Sequence, residues 1–163
     1  MKFFTNKGFT LIELLVVIAI IGIITGITFP SLSSARLKAS DSKIKSQLKD
    51  INITAQIYYD TNGGVYSLSD LPDNDCGTTT PNTLLNEEKV SGALDTLPPT
   101  VTKKCAVTPT THDAYAISVQ LQSTGVATDF WCVDNTGQSK LINITDATTI
   151  DQNDSSCDLM DNK

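Results

Sequence analysis

The chain has 163 residues, which is enough for one membrane-associated segment and one small globular domain of roughly 100 residues, but not for two independent domains. Its formal net charge is −6, and from position 60 onward fifteen acidic residues stand against five lysines. Such an acidic domain repels nucleic-acid phosphate, so direct binding to nucleic acid is not expected.

The first predicted element is an apolar helix over residues 9–30. Residues 9–29 are all apolar or small except for Thr10, Glu13, Thr25 and Thr28. As a helix, these residues would be about 30 Å long, which matches the hydrocarbon thickness of a bilayer. The pattern therefore predicts a transmembrane segment with a carboxylate near its start.

Glu13 admits three interpretations. A cleaved secretory signal ending at Ala35 fits poorly, because such signals have apolar cores of only about 7 to 15 residues. A plain signal anchor would tolerate Glu13 near the membrane interface and leave it without a purpose. Cleavage after Gly8 would instead create an amine on Phe9, and Glu13 could pair with it along its own helix or on a neighbouring chain. In a bundle of such helices, that pairing would mark the correct axial register, because a misplaced subunit would leave both charges unpaired.

The stretch KGFTLIELLVVIAIIGII resembles the class III signal of type IV pilins and pseudopilins, with the basic leader, the glycine, the phenylalanine and the glutamate in family order. The resemblance implies that a prepilin peptidase removes the leader, residues 1–8, on the cytoplasmic face. It further implies that Phe9 becomes N-methylated and that Glu13 supports subunit docking. The match extends over about the first fifty residues.

Gly22, Gly26 and Pro30 recur every four residues and form the weakest part of the predicted helix. Pro30 cannot donate a hydrogen bond to the carbonyl of Gly26, and glycine lowers helix propensity further. Such residues are also common in membrane helices without further meaning. The resemblance implies that this segment loses helical order in the assembled filament and lets it stretch, and both interpretations stay open.

After Pro30 the pattern becomes that of an amphipathic helix, over residues 31–62. One stripe is expected to pack on a globular domain, and it contains Leu37, Ile44, Leu48, Ile51, Ala55 and Tyr58. Gly63 and Gly64 are expected to stop the helix.

Residues 63–112 are interpreted as a long loop region with one short helix near 83–90 that ends at Gly92. Residues 113–163 are expected to form an antiparallel meander of three strands followed by a tail. The predicted fold class is α+β, with the long N-terminal helix packed on a small antiparallel sheet.

Four cysteines lie in the second half of the chain: Cys76, Cys105, Cys132 and Cys157. None forms a C-x-x-C pair, so a zinc site is not expected. The even number of cysteines instead predicts two disulfides in a domain outside the cytoplasm. More positive charge follows the apolar span than precedes it, which favours a C-terminal domain in the cytoplasm. The cysteines and the leader together favour a domain outside the cytoplasm and outweigh this. Three pairings are open from the residues alone. The way pilins close a C-terminal loop onto their sheet favours Cys132 with Cys157, which leaves Cys76 with Cys105 to fasten the long loop.

Two further clusters carry weak signals. Asp70, Asp73 and Asp75 could hold calcium, but the full EF-hand spacing is absent and a solvated turn is favoured. His112 beside Asp113 has no nucleophile motif around it. No catalytic residue, metal or cofactor is therefore expected.

Together these features predict a non-enzymatic type IV pilin that polymerises with copies of itself into a cell-surface filament, after a period as a single-pass protein of the cytoplasmic membrane. Its expected partners are the prepilin peptidase, the pilus assembly platform and a motor ATPase, and the expected roles are adhesion, twitching motility or DNA uptake. The alternatives are a pseudopilin of a type II secretion system and, of another class, a monomeric signal-anchored extracytoplasmic binding protein.

Overall fold

The structure is a computed structural model that describes residues 8–67, 76, 81–108, 110–144 and 155–160, without the side chains at 27–31, 159 and 160. Its chain divides into two compact units, residues 1–37 and 38–163. Residues 1–7 of the predicted leader, the aspartates at 70–75 and residues 145–154 and 161–163 lie outside the described residues.

Helix α1 spans Leu11–Thr61 and contributes to both units. It ends where expected, because Gly63 and Gly64 have φ values of 74° and 85° that residues with a Cβ rarely adopt. The amide of Gly64 donates to the carbonyl of Tyr59 at 3.0 Å, which satisfies one of the last free carbonyls of the helix.

The remaining elements all lie in the second unit. In chain order they are a 3₁₀ turn Leu84–Asn86, α2 Glu88–Asp95, β1 Lys103–Val107, β2 Tyr115–Gln120, β3 Asp129–Asp134, β4 Ser139–Asn143 and α3 Cys157–Met160. The four strands form one antiparallel sheet in the order β1-β2-β3-β4. This arrangement confirms the α+β class with a long helix and a small antiparallel sheet.

The first strand of this sheet was not predicted, since the sequence indicated three strands and placed residues 103–107 in a loop region. β1 begins with two lysines and follows a proline-rich stretch, so it lacks the clean alternation of a half-buried strand. It forms because Cys105 pairs with Ile117 of β2 across the ladder. Long-range pairing of this kind overrides weak local preference.

The core lies between α1 and one face of the sheet. Ile44, Leu48, Ile51 and Ala55 are buried, and they pack in one cluster with the inward-facing residues of β2. The predicted stripe is therefore confirmed over this stretch. Leu37 departs from it, because it lies in the first unit and stays 39% exposed.

The other face of the sheet carries a smaller core around the C-terminal helix. It consists of Ala106, Ala116, Phe130, Cys132, Ile142, Ile144 and Cys157. The disulfide between Cys132 and Cys157 joins β3 to α3 within it. The carboxylate of Asp134 accepts the amide N–H of Cys157 at 2.9 Å and those of the β3–β4 turn, so this buried side chain holds the tail and the turn together.

Helix α2 continues past Gly92, where the sequence predicted its end. Val90 and Leu94 lie on either side of the glycine and are both fully buried. Their burial holds the helical turn together and outweighs the roughly 1 kcal/mol that glycine costs in a helix. The helix ends instead at Asp95, and the amide of the C-cap residue Thr96 donates to the Gly92 carbonyl at 3.1 Å.

A second disulfide joins Cys76 to Cys105. It fastens the long segment between α1 and β1 to the edge strand of the sheet. Both disulfides have the pairing that the resemblance favoured, and neither follows from cysteine spacing alone.

Candidate assembly site at the head of helix α1

Thr10, directly before α1, and Glu13, in its first turn, cap the start of the helix. The amide N–H and the hydroxyl of Thr10 both donate to Oε2 of Glu13 at 2.8 Å. In return, the Glu13 amide donates to the Thr10 hydroxyl at 3.3 Å. This reciprocal arrangement is a capping box, in which the two side chains satisfy amides that a helix start leaves free.

The role of Thr10 was missed by sequence reasoning, which treated it only as a tolerated polar residue. The signal was nonetheless available, because threonine followed three residues later by glutamate, ahead of an apolar run, is the sequence signature of a capping box. The box also explains why the helix begins at Leu11 and not at Phe9.

The predicted contact between Glu13 and the amine of Phe9 needs a group that is absent from the unprocessed chain, since Phe9 is still joined to Gly8. Glu13 is instead bonded to Thr10. The pairing with a Phe9 amine remains a prediction for the cleaved chain. Gly8 itself is exposed, and no heavy atom lies within 4 Å of the place where a Cβ would be.

The apolar side chains that follow Glu13 are exposed in the single chain. Twelve large apolar residues between positions 9 and 24 are exposed, with Phe9 at 87% and Leu11 at 88%. An apolar surface this continuous marks an interaction with another protein or with lipid.

No helix within the described part of the chain combines the length and the hydropathy needed to cross a membrane. The predicted span, residues 9–30, extends into positions 27–31, whose side chains lie outside that part.

Gly22, Gly26 and Pro30 all lie inside the bounds of α1. The hydroxyl of Thr25 donates to the carbonyl of Ile21 at 2.7 Å, a bond that competes with the backbone ladder in this segment. An added Cβ at Gly22 or Gly26 would meet no heavy atom within 4 Å among the described residues, apart from the adjoining backbone of α1 itself.

Two weaker sequence signals remain, the neighbouring pair His112 and Asp113 and the aspartates at 70–75. The backbone carbonyl of His112 accepts the amide of Tyr66 at 2.7 Å, so this residue ties the β1–β2 loop to the segment after α1. Beside it, the Thr111 hydroxyl donates to Asp113 at 2.7 Å and lowers the pKa of that carboxyl. No group of three metal-ligating side chains occurs in the described ranges, and the calcium candidates Asp70, Asp73 and Asp75 lie outside them.

Comparison with known proteins finds a family match at the head of the chain and two relatives that align over part of its length. Residues 4–29 match the prokaryotic N-terminal methylation motif. The chain is 52% identical, over 44 residues or 27% of its length, to the type IV wide pilus major component PilA4 of Thermus thermophilus. Over 51 residues, 31% of the chain, it is 45% identical to the type IV major pilin protein PilA of Myxococcus xanthus.

These segments cover 34% and 23% of the two relatives, well below two thirds of either protein. No solved structure matches the chain. The family match at residues 4–29 includes the capping box and the apolar stretch.

Proposed function

We propose that the chain is a structural type IV pilin that polymerises through helix α1 into a surface filament, on the premise that its N-terminal segment is similar to those of type IV pilins. The observation that carries the proposal is the run of exposed apolar side chains from Phe9 to Ile24, headed by a single carboxylate. This surface is removed from water when it packs against the same run on neighbouring copies. The burial stabilises the assembly by about 25 cal/mol per Å² of apolar surface.

Processing precedes assembly in this proposal. A prepilin peptidase cuts the bond between Gly8 and Phe9 and methylates the new amine of Phe9. The exposure of Gly8 and the open space around it support the cut, because a protease needs close access to the backbone.

Cleavage changes the partners that Glu13 has available. In the unprocessed chain its Oε2 is bonded to Thr10, and Oε1 remains available for the ammonium of Phe9 on its own or a neighbouring helix. A buried charge that finds its partner in only one register penalises every other stagger. Glu13 therefore supplies specificity to an interface whose affinity comes from apolar contact.

The segment with Gly22, Gly26 and Pro30 serves as the extensible part of the helix. The missing N–H of Pro30 leaves the Gly26 carbonyl without its helical partner, and the two glycines reduce the cost of unwinding. Filaments built from this helix are expected to lengthen under load by local loss of helix in this segment.

Before assembly the chain resides in the cytoplasmic membrane through residues 9–30, with the second unit outside the cytoplasm. An assembly platform and a motor ATPase draw subunits from this pool. The filament then acts in adhesion, twitching motility or DNA uptake, and the subunit itself performs no chemistry and needs no cofactor.

Mass spectrometry of sheared surface filaments, without reduction, tests the proposal. We expect a chain that begins at N-methylated Phe9, with all four cysteines oxidised. A chain that still begins at Met1 and occurs only in membranes would contradict it and favour a signal-anchored binding protein. A processed chain that never reaches the sheared fraction would favour a pseudopilin.

A further inference from the structure

One face of the second unit combines two lysines of α1 with apolar side chains of the β3–β4 hairpin. Lys45 and Lys49 are four residues apart and therefore lie on the same side of the helix. The ammonium of Lys45 lies 4.4 Å from the centre of the Trp131 ring. Lys49 lines a groove of about 340 Å³ between α1 and the hairpin. Helix and hairpin thus present positive charge and apolar surface side by side.

Exposed apolar side chains adjoin the two lysines. Ile53, one turn beyond Lys49, is 56% exposed, and Leu141, on the edge strand β4, is 50% exposed. Trp131 is partly exposed, pairs with Leu141 across the ladder and donates its indole N–H to the Ser139 hydroxyl at 3.1 Å. We call the surface of Lys45, Lys49, Ile53, Trp131 and Leu141 the basic face.

The acids on the same part of α1 leave the charge of the basic face positive. Asp50 is exposed, but at 100° per residue it lies at least about 100° around the helix from both Lys45 and Lys49. Asp60 lies on the side of Lys49, about 16 Å further along the helix axis. That distance is about twice the screening length of about 8 Å at physiological salt.

One further charge of each sign lies at the margin of the basic face. Lys38 is exposed about two turns before Lys45, and Asp129 lies two residues before Trp131 on the same face of the sheet. These two charges balance, so the face keeps the positive charge of its own two lysines. From position 60 onward the chain has fifteen acids against five lysines. An anionic surface is therefore repelled by most of the second unit and attracted by the basic face.

Lysine beside tryptophan and aliphatic side chains is the composition of protein surfaces that lie on anionic membranes. Tryptophan sits at the level of the lipid headgroups, and lysine is attracted by their phosphates. We propose that the basic face rests on the anionic phospholipid headgroups of the membrane that holds the chain before assembly. The inference rests on the proposed function and names the lipid class that the stored subunit contacts.

This contact accounts for the positive charge that follows the apolar run and opposes the usual orientation of a single span. Lysines that bind anionic lipid on the outer surface stabilise the second unit on that side of the membrane. Each lysine near such a surface strengthens the contact about fivefold. A subunit that enters a filament has to leave this contact, so the lipid composition regulates how readily stored subunits become available.

Quenching of Trp131, the sole tryptophan of the chain, by brominated lipid tests the contact. The full chain is reconstituted in phosphatidylcholine vesicles with or without anionic phosphatidylglycerol, and part of the phosphatidylcholine carries bromine near the headgroup end of its acyl chains. We expect quenching, measured against the same vesicles without bromine, to rise at least about twofold when phosphatidylglycerol is present. It should return to the level of the neutral vesicles in about 1 M salt, where the screening length falls to about 3 Å.

Lys49→Gln is the test variant, because the Lys45 ammonium lies against Trp131 and its removal would change the emission directly. It is expected to weaken the contact about fivefold. Lys89→Gln is the matched control, since it removes the same charge at an exposed position of α2, and it should leave the quenching unchanged. Oxidised disulfides, checked by mass spectrometry without reduction, establish that each variant is folded.

A photo-crosslinking residue in place of Leu141 identifies what covers the basic face. Crosslinks to lipid in the anionic vesicles would support the proposal. Crosslinks to a second copy of the chain, equal quenching in neutral and anionic vesicles, or equal effects of Lys49→Gln and Lys89→Gln would overturn it and leave the proposed function intact. A chain that does not float with neutral vesicles would contradict the membrane storage in the proposed function, and this contact would fail with it.

Discussion

The carboxylate of Glu13 has one partner in the unprocessed chain and would gain a second after cleavage. Bonded to Thr10, it starts the helix; paired with the amine of Phe9, it would set the position of one subunit against the next. The first role is local and worth about 1 kcal/mol. The second operates inside an apolar interface, where an unpaired charge costs several times more.

Glu13→Leu is therefore expected to abolish filaments while the chain still enters the membrane. The comparison of sheared and membrane fractions by immunoblot measures this. Thr10→Val is the control, because it removes the hydroxyl of the capping box and keeps the carboxylate. Equal filament loss in both variants would show that helix capping, and not subunit register, is what matters.

Tyr115 offers a second prediction at the scale of one side chain. It is buried, and its hydroxyl has no hydrogen-bond partner among the residues that the structure describes. Burial raises the pKa of its phenol, and nearby Tyr66 and Asp134 raise it further. Because the folded pKa lies above the unfolded value near 10, the folded chain keeps a proton that the unfolded chain has lost at higher pH. The stability that this group contributes is complete below about pH 10 and is lost as the pH rises towards the folded pKa.

Tyr115→Phe should thus leave the free energy of unfolding at pH 7 within about 1 kcal/mol of the unaltered value, because no hydrogen bond is removed. Between about pH 10 and 11 the variant should lose less stability than the unaltered chain. Guanidinium unfolding followed by Trp131, the sole tryptophan of the chain, measures both. Parallel pH profiles for the two chains would contradict the assigned pKa direction.

At the scale of elements, helix α1 has an exposed apolar part and a later part that packs against the sheet. Its first part presents apolar residues on every side, as expected of a helix that other helices enclose. Its later part is amphipathic and buries Ile44, Leu48, Ile51 and Ala55 against the sheet. The same helix thereby supports the globular unit and would provide the surface for the proposed assembly.

Leu48→Ala tests the second of these roles. The side chain is fully buried, and its truncation is expected to lower the free energy of unfolding by about 3 kcal/mol. Ile53→Ala on the exposed side of the same helix is expected to change it by no more than about 0.5 kcal/mol. Guanidinium midpoints from Trp131 fluorescence compare the two, and a similar loss in both variants would contradict the assigned core.

At the scale of the whole molecule, two disulfides fasten the segments that have little regular structure. Cys76–Cys105 holds the segment between α1 and β1, and Cys132–Cys157 holds the C-terminal tail. A surface filament works outside the reducing cytoplasm, where such bonds persist. The ion pair of Lys140 with Asp158 supports the second fastening and lowers the pKa of that carboxyl, with a further hydrogen bond from Gln138.

The two disulfides close loops of similar length, with sequence separations of 29 and 25 residues. Loop entropy alone predicts nearly equal losses of about 3.5 kcal/mol when either pair is replaced by alanine. Replacement of Cys132 and Cys157, both fully buried, should cost more than replacement of Cys76 and Cys105, because it also leaves a cavity in the smaller core. Guanidinium unfolding of the two double variants measures the difference, and equal losses would contradict the cavity contribution.

The sequence by itself determined the features that depend on neighbours along the chain. The apolar run, the amphipathic stripe from Ile44 to Ala55 and the stop at Gly63 and Gly64 follow from residue type and helical spacing. The capping box at Thr10 belongs with them, since its two partners are three residues apart, although it was overlooked.

Only the tertiary structure decided the features that depend on residues far apart in sequence. Strand β1 exists because β2 offers a partner for its ladder, and α2 runs through Gly92 because Val90 and Leu94 are buried on either side of it. The hydrogen bond from Asn52 to the Asp134 carbonyl joins α1 to a hairpin 82 residues away. Such contacts depend on which surfaces meet after the chain has folded, and no local pattern records that.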